Sequence, residues 1–354
     1  MNRIPRDREG ASLVVWCNTY FAWRGRRLGA WLGAWLGGWL MLAPVAPAFS
    51  ADSATAPQSG AAVPEPGSPM GSGPYRAIME VPPGLPTHTV YHPPDLSAAG
   101  RLPVVVWGNG ACANAGDRFR WFLSDIASYG YLVIAVGPIA NMSVWPGQPM
   151  EPLAAGATPA MSPTKSGQSP PPITHSSQLL DAVTWAAAEN ERPGSPFHHR
   201  LDVGAVAAMG QSCGGAQALE ASADPRIRTT ILWNSGLFPG VTTMAGGEPL
   251  TKASLRKLHG PIAYISGDDE DLAFGNANDD FERIDHVPVF RAFARGMLHE
   301  GTYLQRNGGE FAGIAVGWLN WQLKGDGRAA HLFVGADCGL CVNPHWVVRS
   351  KHLH

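Results

Sequence analysis

The sequence predicts an α/β protein built on an eight-stranded, mostly parallel sheet flanked by helices. Three observations carry that expectation. Short apolar runs of β-forming residues alternate with helix-length stretches through most of the chain. The last of those stretches has a clear helical period, with Phe311, Ile314, Ala315, Trp318 and Leu319 recurring on one face. A β-type run also enters a Gly-x-Ser-x-Gly pattern at Gly210 to Gly214, and a helix-compatible stretch leaves it.

In chain order, strands are expected at 75–81, 88–92, 102–107, 131–136, 203–209, 229–233, 261–266 and 287–292. Helices are expected between them at 117–128, 176–190, 213–223 and 309–323. Two excursions break the rhythm. Residues 139–173 are rich in Pro, Gly, Ser and Met without usable periodicity, and loops of this kind in open sheets often border a site. Residues 235–260 carry Leu237, Phe238 and Met244, with a short helix expected at 251–258.

The N-terminal region reads differently. Arg24, Arg26 and Arg27 precede an apolar run at 28–46, and the small residues Ala48, Ser50 and Ala51 follow it. Residues 1–50 are therefore expected to be a signal peptide, with a retained membrane anchor as the alternative. Residues 51–73, dominated by Ala, Pro, Gly and Ser, read as a flexible linker, and 74–354 as the folded domain. Removal of the leader leaves a mildly acidic protein, secreted or periplasmic, with no stable membrane association. Only 15% of the 354 residues are charged, the net charge is -2, and no long basic run lies outside the N-terminus, which argues against nucleic acid as a partner. Cys17 leaves with the leader. The even set Cys112, Cys213, Cys338 and Cys341 favours disulfides in an oxidising compartment.

The chemistry centres on Met209-Gly210-Gln211-Ser212-Cys213-Gly214-Gly215. Glycines on either side of Ser212 let a strand and a helix approach closely while the serine sits on a strained turn with its hydroxyl exposed. A serine hydroxyl needs a base, and the base needs an orienting acid. With a nucleophile on a strand-to-helix turn, the acid and then the histidine should follow in the chain. The strand at 261–266 runs into Gly267-Asp268-Asp269-Glu270-Asp271, and His299 lies in a loop before the final helix. Asp271 is the favoured acid, because it lies far enough into its loop to turn back toward His299; Asp269 is the alternative. The oxyanion of a tetrahedral intermediate needs backbone donors. One is expected at Cys213, directly after the serine, and the other at Ala111 or Cys112, in the glycine-containing loop Trp107-Gly108-Asn109-Gly110-Ala111-Cys112. Asn109 is a candidate to hold that loop through its side chain.

Ser212, Asp271 and His299 stand in the segments Gly-Gln-Ser-Cys-Gly-Gly, Ile-Ser-Gly-Asp-Asp-Glu-Asp and His-Glu-Gly-Thr-Tyr. Together with Gly-Asn-Gly-Ala-Cys and Trp-Leu-Asn-Trp-Gln-Leu-Lys-Gly-Asp, this set resembles secreted α/β-hydrolases related to dienelactone hydrolases, chlorophyllases and bacterial cutinase-like polyester hydrolases. The resemblance spans about residues 75–325. It implies the α/β-hydrolase fold and a carboxylic-ester hydrolase that uses neither metal nor cofactor. Two positions depart from the pattern. Ser212 stands where dienelactone hydrolases carry cysteine, and Ala111 where polyester hydrolases usually place an aromatic residue. Other readings of the same residues are a hydrolase of another acyl bond, peptide or thioester, and a non-catalytic binding protein.

If Cys213 and the Ala111-Cys112 loop both feed an oxyanion hole, Cys112 and Cys213 lie close together. A disulfide between them would clamp the hole. The alternative is two unpaired thiols packed as small apolar residues. Cys338 and Cys341 are then expected to pair locally; their rival readings are a redox motif or half a metal site.

Overall fold

Nine strands form one sheet in the order β1-β2-β4-β3-β5-β6-β7-β8-β9 in the computed structural model, which describes residues 68–140, 174–242 and 248–354. The strands are β1 (Ile78–Glu80), β2 (His88–His92), β3 (Leu102–Gly108), β4 (Leu132–Val136), β5 (Leu201–Gln211), β6 (Ile227–Trp233), β7 (Ile262–Gly267), β8 (Val289–Ala294) and β9 (Trp346–Lys351). From β4 through β8 every pairing is parallel, while β1, β2 and β9 add antiparallel edges. The helices are α1 (Arg120–Ser128), α2 (Ser177–Glu191), α3 (Cys213–Ala221), α4 (Phe274–Arg283) and α5 (Gly309–Lys324).

Parallel strands are covered on both faces, so they are apolar along their whole length. Strand β3 shows this: all of its residues are buried. Val104 and Val106 pack on one side with Leu179 and Val183 of α2, Leu219 of α3 and Phe281 of α4. Val105 and Trp107 face the other side, with Phe122 and Ile126 of α1 and Phe311, Ile314, Trp318 and Leu319 of α5. The strand's period of two thus divides the core into two layers, and the sheet lies between them.

Eight strands and four helices lie where they are expected, with ends differing by a few residues. Two elements are additions. Strand β9 raises the count from eight to nine. Its sequence Trp-Val-Val-Arg-Ser-Lys is partly exposed, as suits an antiparallel edge beside β8, and it lacks the apolar run that marks an inner strand. Helix α4 buries only Ala277, Asp280 and Phe281, so its inner stripe is narrow and includes a carboxylate. Within the second excursion, residues Lys252–Lys257 form a 3-10 turn whose start is capped by Thr251 Oγ1, which accepts the Ala253 N–H at 3.2 Å.

The expected linker also ends earlier than 73. Met70 is buried and bridges Ala77, Ser72 N–H donates to Asp125 at 2.7 Å, and Gly73 N–H donates to Ser128 Oγ at 2.8 Å. A Cβ on Gly71 would fall 2.5 Å from that of Ser128. The small residues that read as disorder here let the backbone lie flat against α1. The expected signal peptide, the rest of the linker and most of the 139–173 excursion lie outside the described residues. Among the described residues no helix is long and apolar enough to cross a membrane.

Candidate active site

Strand β5 ends at Gln211 and α3 begins at Cys213, so Ser212 forms the whole turn between them. Its φ of 55° and ψ of -119° are a conformation that a residue with a Cβ rarely adopts. Local packing enforces it. A Cβ on Gly210 would fall 2.1 Å from the Gly214 carbonyl oxygen, and one on Gly214 would fall 2.0 Å from that of Gly108. The two glycines therefore let β5, α3 and the end of β3 meet at backbone contact, and the chain must reverse within one residue. Ser212 N–H donates to the Trp233 carbonyl at 3.0 Å, and its own carbonyl accepts Gly215 N–H at 2.9 Å and Ser235 Oγ at 2.7 Å.

The loop after β8 brings His299 to this turn, with Nε2 at 2.9 Å from Ser212 Oγ. Its Nδ1 lies 2.7 Å from Asp271 Oδ1, in the loop after β7. A carboxylate only accepts, so Nδ1 carries the proton and Nε2 is left to accept the serine hydroxyl. Asp271 is 2% exposed. Burial pushes its pKa up, but the His299 ring, the Ala273 N–H and the Asn234 amide more than offset this and hold it below the ordinary aspartate value. Of the two acids proposed for this role, the fold brings Asp271 to the histidine. Asp269 is exposed, and Asp268 instead ties the two loops together by accepting Gly296 N–H at 2.6 Å.

Beyond β3 the chain makes a 3-10 turn at Gly110–Cys112, in which Ala111 and Cys112 take φ of 56° and 49°. Asn109 braces it as expected: Nδ2 donates to the Ala113 and Val136 carbonyls at 3.0 and 2.7 Å, and Oδ1 accepts Trp107 Nε1 at 3.0 Å. The two residues offered for the loop's oxyanion donor separate here. The Cys112 N–H donates to the Asn109 carbonyl at 3.1 Å to close the turn. That contact engages the Cys112 N–H within the turn, whereas Ala111 is exposed at its head. Cys112 and Cys213 pair at disulfide distance with Cα atoms 5.3 Å apart, and Cys338 and Cys341 pair likewise at 4.9 Å. The first pair joins the loop to the residue after the serine. Among the described residues no group of three His, Cys, Asp or Glu side chains is placed to hold a metal ion.

Two residues of the site carry no mark in the sequence. Gln211 Nε2 donates to the His299 carbonyl at 3.2 Å, anchoring the histidine loop to the end of β5. Asn234, fully buried just past β6, donates to Asp271 Oδ2 at 2.8 Å. The one available signal was position, since polar residues at the carboxyl end of a parallel strand lie where open sheets place their sites. A cleft of about 100 Å³ opens over Ser212 and His299, walled by Ala216, Ser235, Phe238, Leu272 and Asn276. Its rim is apolar, with Phe238 and Leu272 42% and 65% exposed. No protein-family model and no curated protein matches this chain.

Proposed function

We propose that the chain is a serine hydrolase of the α/β-hydrolase type that cleaves carboxylic esters through an acyl-enzyme. One observation carries the reading: an unbroken hydrogen-bonded row from Asp271 through His299 to Ser212, whose serine sits on a strained turn facing a cleft. Nucleophile, acid and base follow β5, β7 and β8, the chain order that the α/β-hydrolase arrangement requires. His299 takes the Ser212 proton as the oxygen attacks the ester carbonyl. The oxyanion develops toward the amides of Cys213 and Ala111. Collapse expels the alcohol, which takes the proton back from His299, and a water activated by the same ring releases the acid. Among the described residues, His299 is the one ionisable side chain that lines the cleft, and Ala216, Phe238 and Leu272 supply apolar surface to receive an acyl group. The two cysteine pairs support export to an oxidising compartment.

Ser212→Ala should reduce hydrolysis of p-nitrophenyl esters to background and abolish labelling by a fluorophosphonate, with an unchanged melting temperature. Persistence of wild-type turnover in that variant, or failure of the wild-type serine to label, would overturn the proposal.

A further inference from the structure

Asn234 sits at the junction of three parts of the site. Its N–H donates to the Ile265 carbonyl at 2.8 Å, and its backbone takes a φ of 42°. The side-chain Nδ2 reaches Asp271 Oδ2 at 2.8 Å and the carbonyl of Leu298, the residue before His299, at 3.3 Å. One amide thus holds the acid and the chain that carries the base. Both of those partners can only accept, so the nitrogen of the amide must face them and the oxygen must point away. It points at Tyr303, whose hydroxyl donates to it.

Tyr303 is 1% exposed and is locked by aromatic neighbours, with ring centroids at 5.2 Å from Phe119, 5.3 Å from Phe122 and 5.1 Å from Phe311. Burial pushes the phenol's pKa well up, with the charges of Asp271 and Glu300 adding to it, so the hydroxyl stays a donor. We infer that Asn234 is a positioning residue for the Asp271-His299 pair, and that Tyr303 selects the one amide orientation in which Asn234 can do this. The inference rests on the serine-hydrolase reading of the site. The other titratable groups facing Asp271 are His299, Tyr303 and, from β8, the buried Arg291; Asp268, Asp269 and Glu270 share its loop.

The isosteric substitutions Asn234→Asp and Tyr303→Phe test the roles without opening a cavity, and Asn234→Ala removes the amide altogether. In Asn234→Asp a second carboxyl faces Asp271, and the contact survives only while the pair shares one proton. This variant should keep most activity at the acid end of the pH profile and lose it as pH rises and that proton leaves, with kcat falling and KM little changed. Asn234→Ala should lower kcat about 10- to 100-fold, and Tyr303→Phe by a smaller factor. Because Tyr303 acts through Asn234, the double variant Asn234→Ala/Tyr303→Phe should be no slower than Asn234→Ala. In the free protein, the NMR signal of the His299 Nδ1 proton should shift or broaden in every Asn234 variant.

An unchanged pH profile in Asn234→Asp, additive losses in the double variant, or an unperturbed Nδ1 proton would each overturn the inference. A wild-type chain that neither labels with fluorophosphonate nor turns over esters would instead refute the hydrolase reading. The Nδ1 signal would still judge the positioning role, because it needs no substrate.

Discussion

Asp271 and Asp280 lie nine residues apart on either side of the start of α4, and both are buried, yet their surroundings drive them in opposite directions. Asp271 accepts His299 Nδ1 at 2.7 Å, Asn234 Nδ2 at 2.8 Å, Ala273 N–H at 2.9 Å and Gly267 N–H at 3.1 Å. Asp280 accepts Lys252 Nζ at 2.6 Å, Leu237 N–H at 2.8 Å and Tyr264 OH at 3.3 Å. Burial raises the pKa of each. At Asp271 the donors win and the carboxyl is held low, whereas at Asp280 burial wins and the pKa rises to about 6. The ammonium of Lys252 is shared with Asp279 at 2.9 Å, so its charge is divided between two carboxylates. A buried acid is thus kept ionised by the set of donors aimed at it rather than by the presence of one cation. Of these two regions, one is arranged for a charge that serves His299 and the other for holding α4, the 3-10 turn and Leu237 together.

The most direct way to break this comparison is to remove each charge in turn. Asn at position 271 can present its amide to His299 and force the ring into the tautomer that cannot accept the serine proton, so Asp271→Asn should cost turnover on the order of 10⁴-fold. Asp280→Asn should leave turnover within about threefold of wild type, since nothing there touches the reacting atoms. Steady-state ester hydrolysis with both variants folded decides it. Comparable losses at the two positions would show that the contrast between them is not functional.

The covalent ties can be cut in the same spirit. The Cys112–Cys213 pair closes a sequence separation of 101 residues and joins the Ala111 loop to the residue after Ser212, whereas Cys338–Cys341 spans a separation of 3 in a local turn. Cys112→Ser/Cys213→Ser should lower kcat about 10- to 100-fold by letting the left-handed residues Ala111 and Cys112 relax away from the oxyanion position. It should also cost stability, by up to about 4–5 kcal/mol in the chain-entropy account. Turnover is therefore measured well below the lowered melting temperature. Cys338→Ser/Cys341→Ser should leave kcat unchanged. Equal kcat in both double variants would remove the loop from the mechanism.

How much of this was readable beforehand follows from what each residue does. The contacts of His299 with Ser212 and Asp271 are legible because the serine-hydrolase reading expects a serine, a strand-end acid and a late histidine in that order along the chain. The Cys112–Cys213 pairing follows from the same arrangement, because both residues neighbour the expected oxyanion donors. Helix α5 is legible from its broad apolar stripe. Helix α4 is not, because its stripe is Ala277, Asp280 and Phe281, and the central member is a polar residue whose burial depends on donors from Lys252, Leu237 and Tyr264. Strand β9 pairs only at an edge and needs no apolar run. Asn234, Gln211 and Tyr303 act through contacts at separations of 37, 88 and 69 residues, and no local pattern announces a partner so far away. That the Cys112 N–H is engaged by the Asn109 carbonyl is likewise a backbone contact that composition does not reveal.

A last effect is expected on stability, and its sign separates the two aspartates. The folded pKa of Asp280 lies above its ordinary value of 3.8, at about 6, so between these values the folded state binds more protons than the unfolded state. Stability contributed by this group is therefore full below about pH 4 and declines as pH rises toward 6, by up to about 3 kcal/mol. Asp271, with its pKa held low, works the other way: its contribution is present above its unfolded value and is lost as the solution is acidified. Asparagine at position 280 cannot titrate, and it sets its own N–H donors against the Lys252 ammonium. Asp280→Asn should accordingly be less stable than wild type in acid, and the gap should narrow as pH rises from 4 to 7. Chemical denaturation at several pH values, with wild type and variant side by side, measures that gap. A gap that stays constant across the range would mean that Asp280 is ionised throughout, and that Lys252 neutralises it as fully as the donors around Asp271 stabilise theirs.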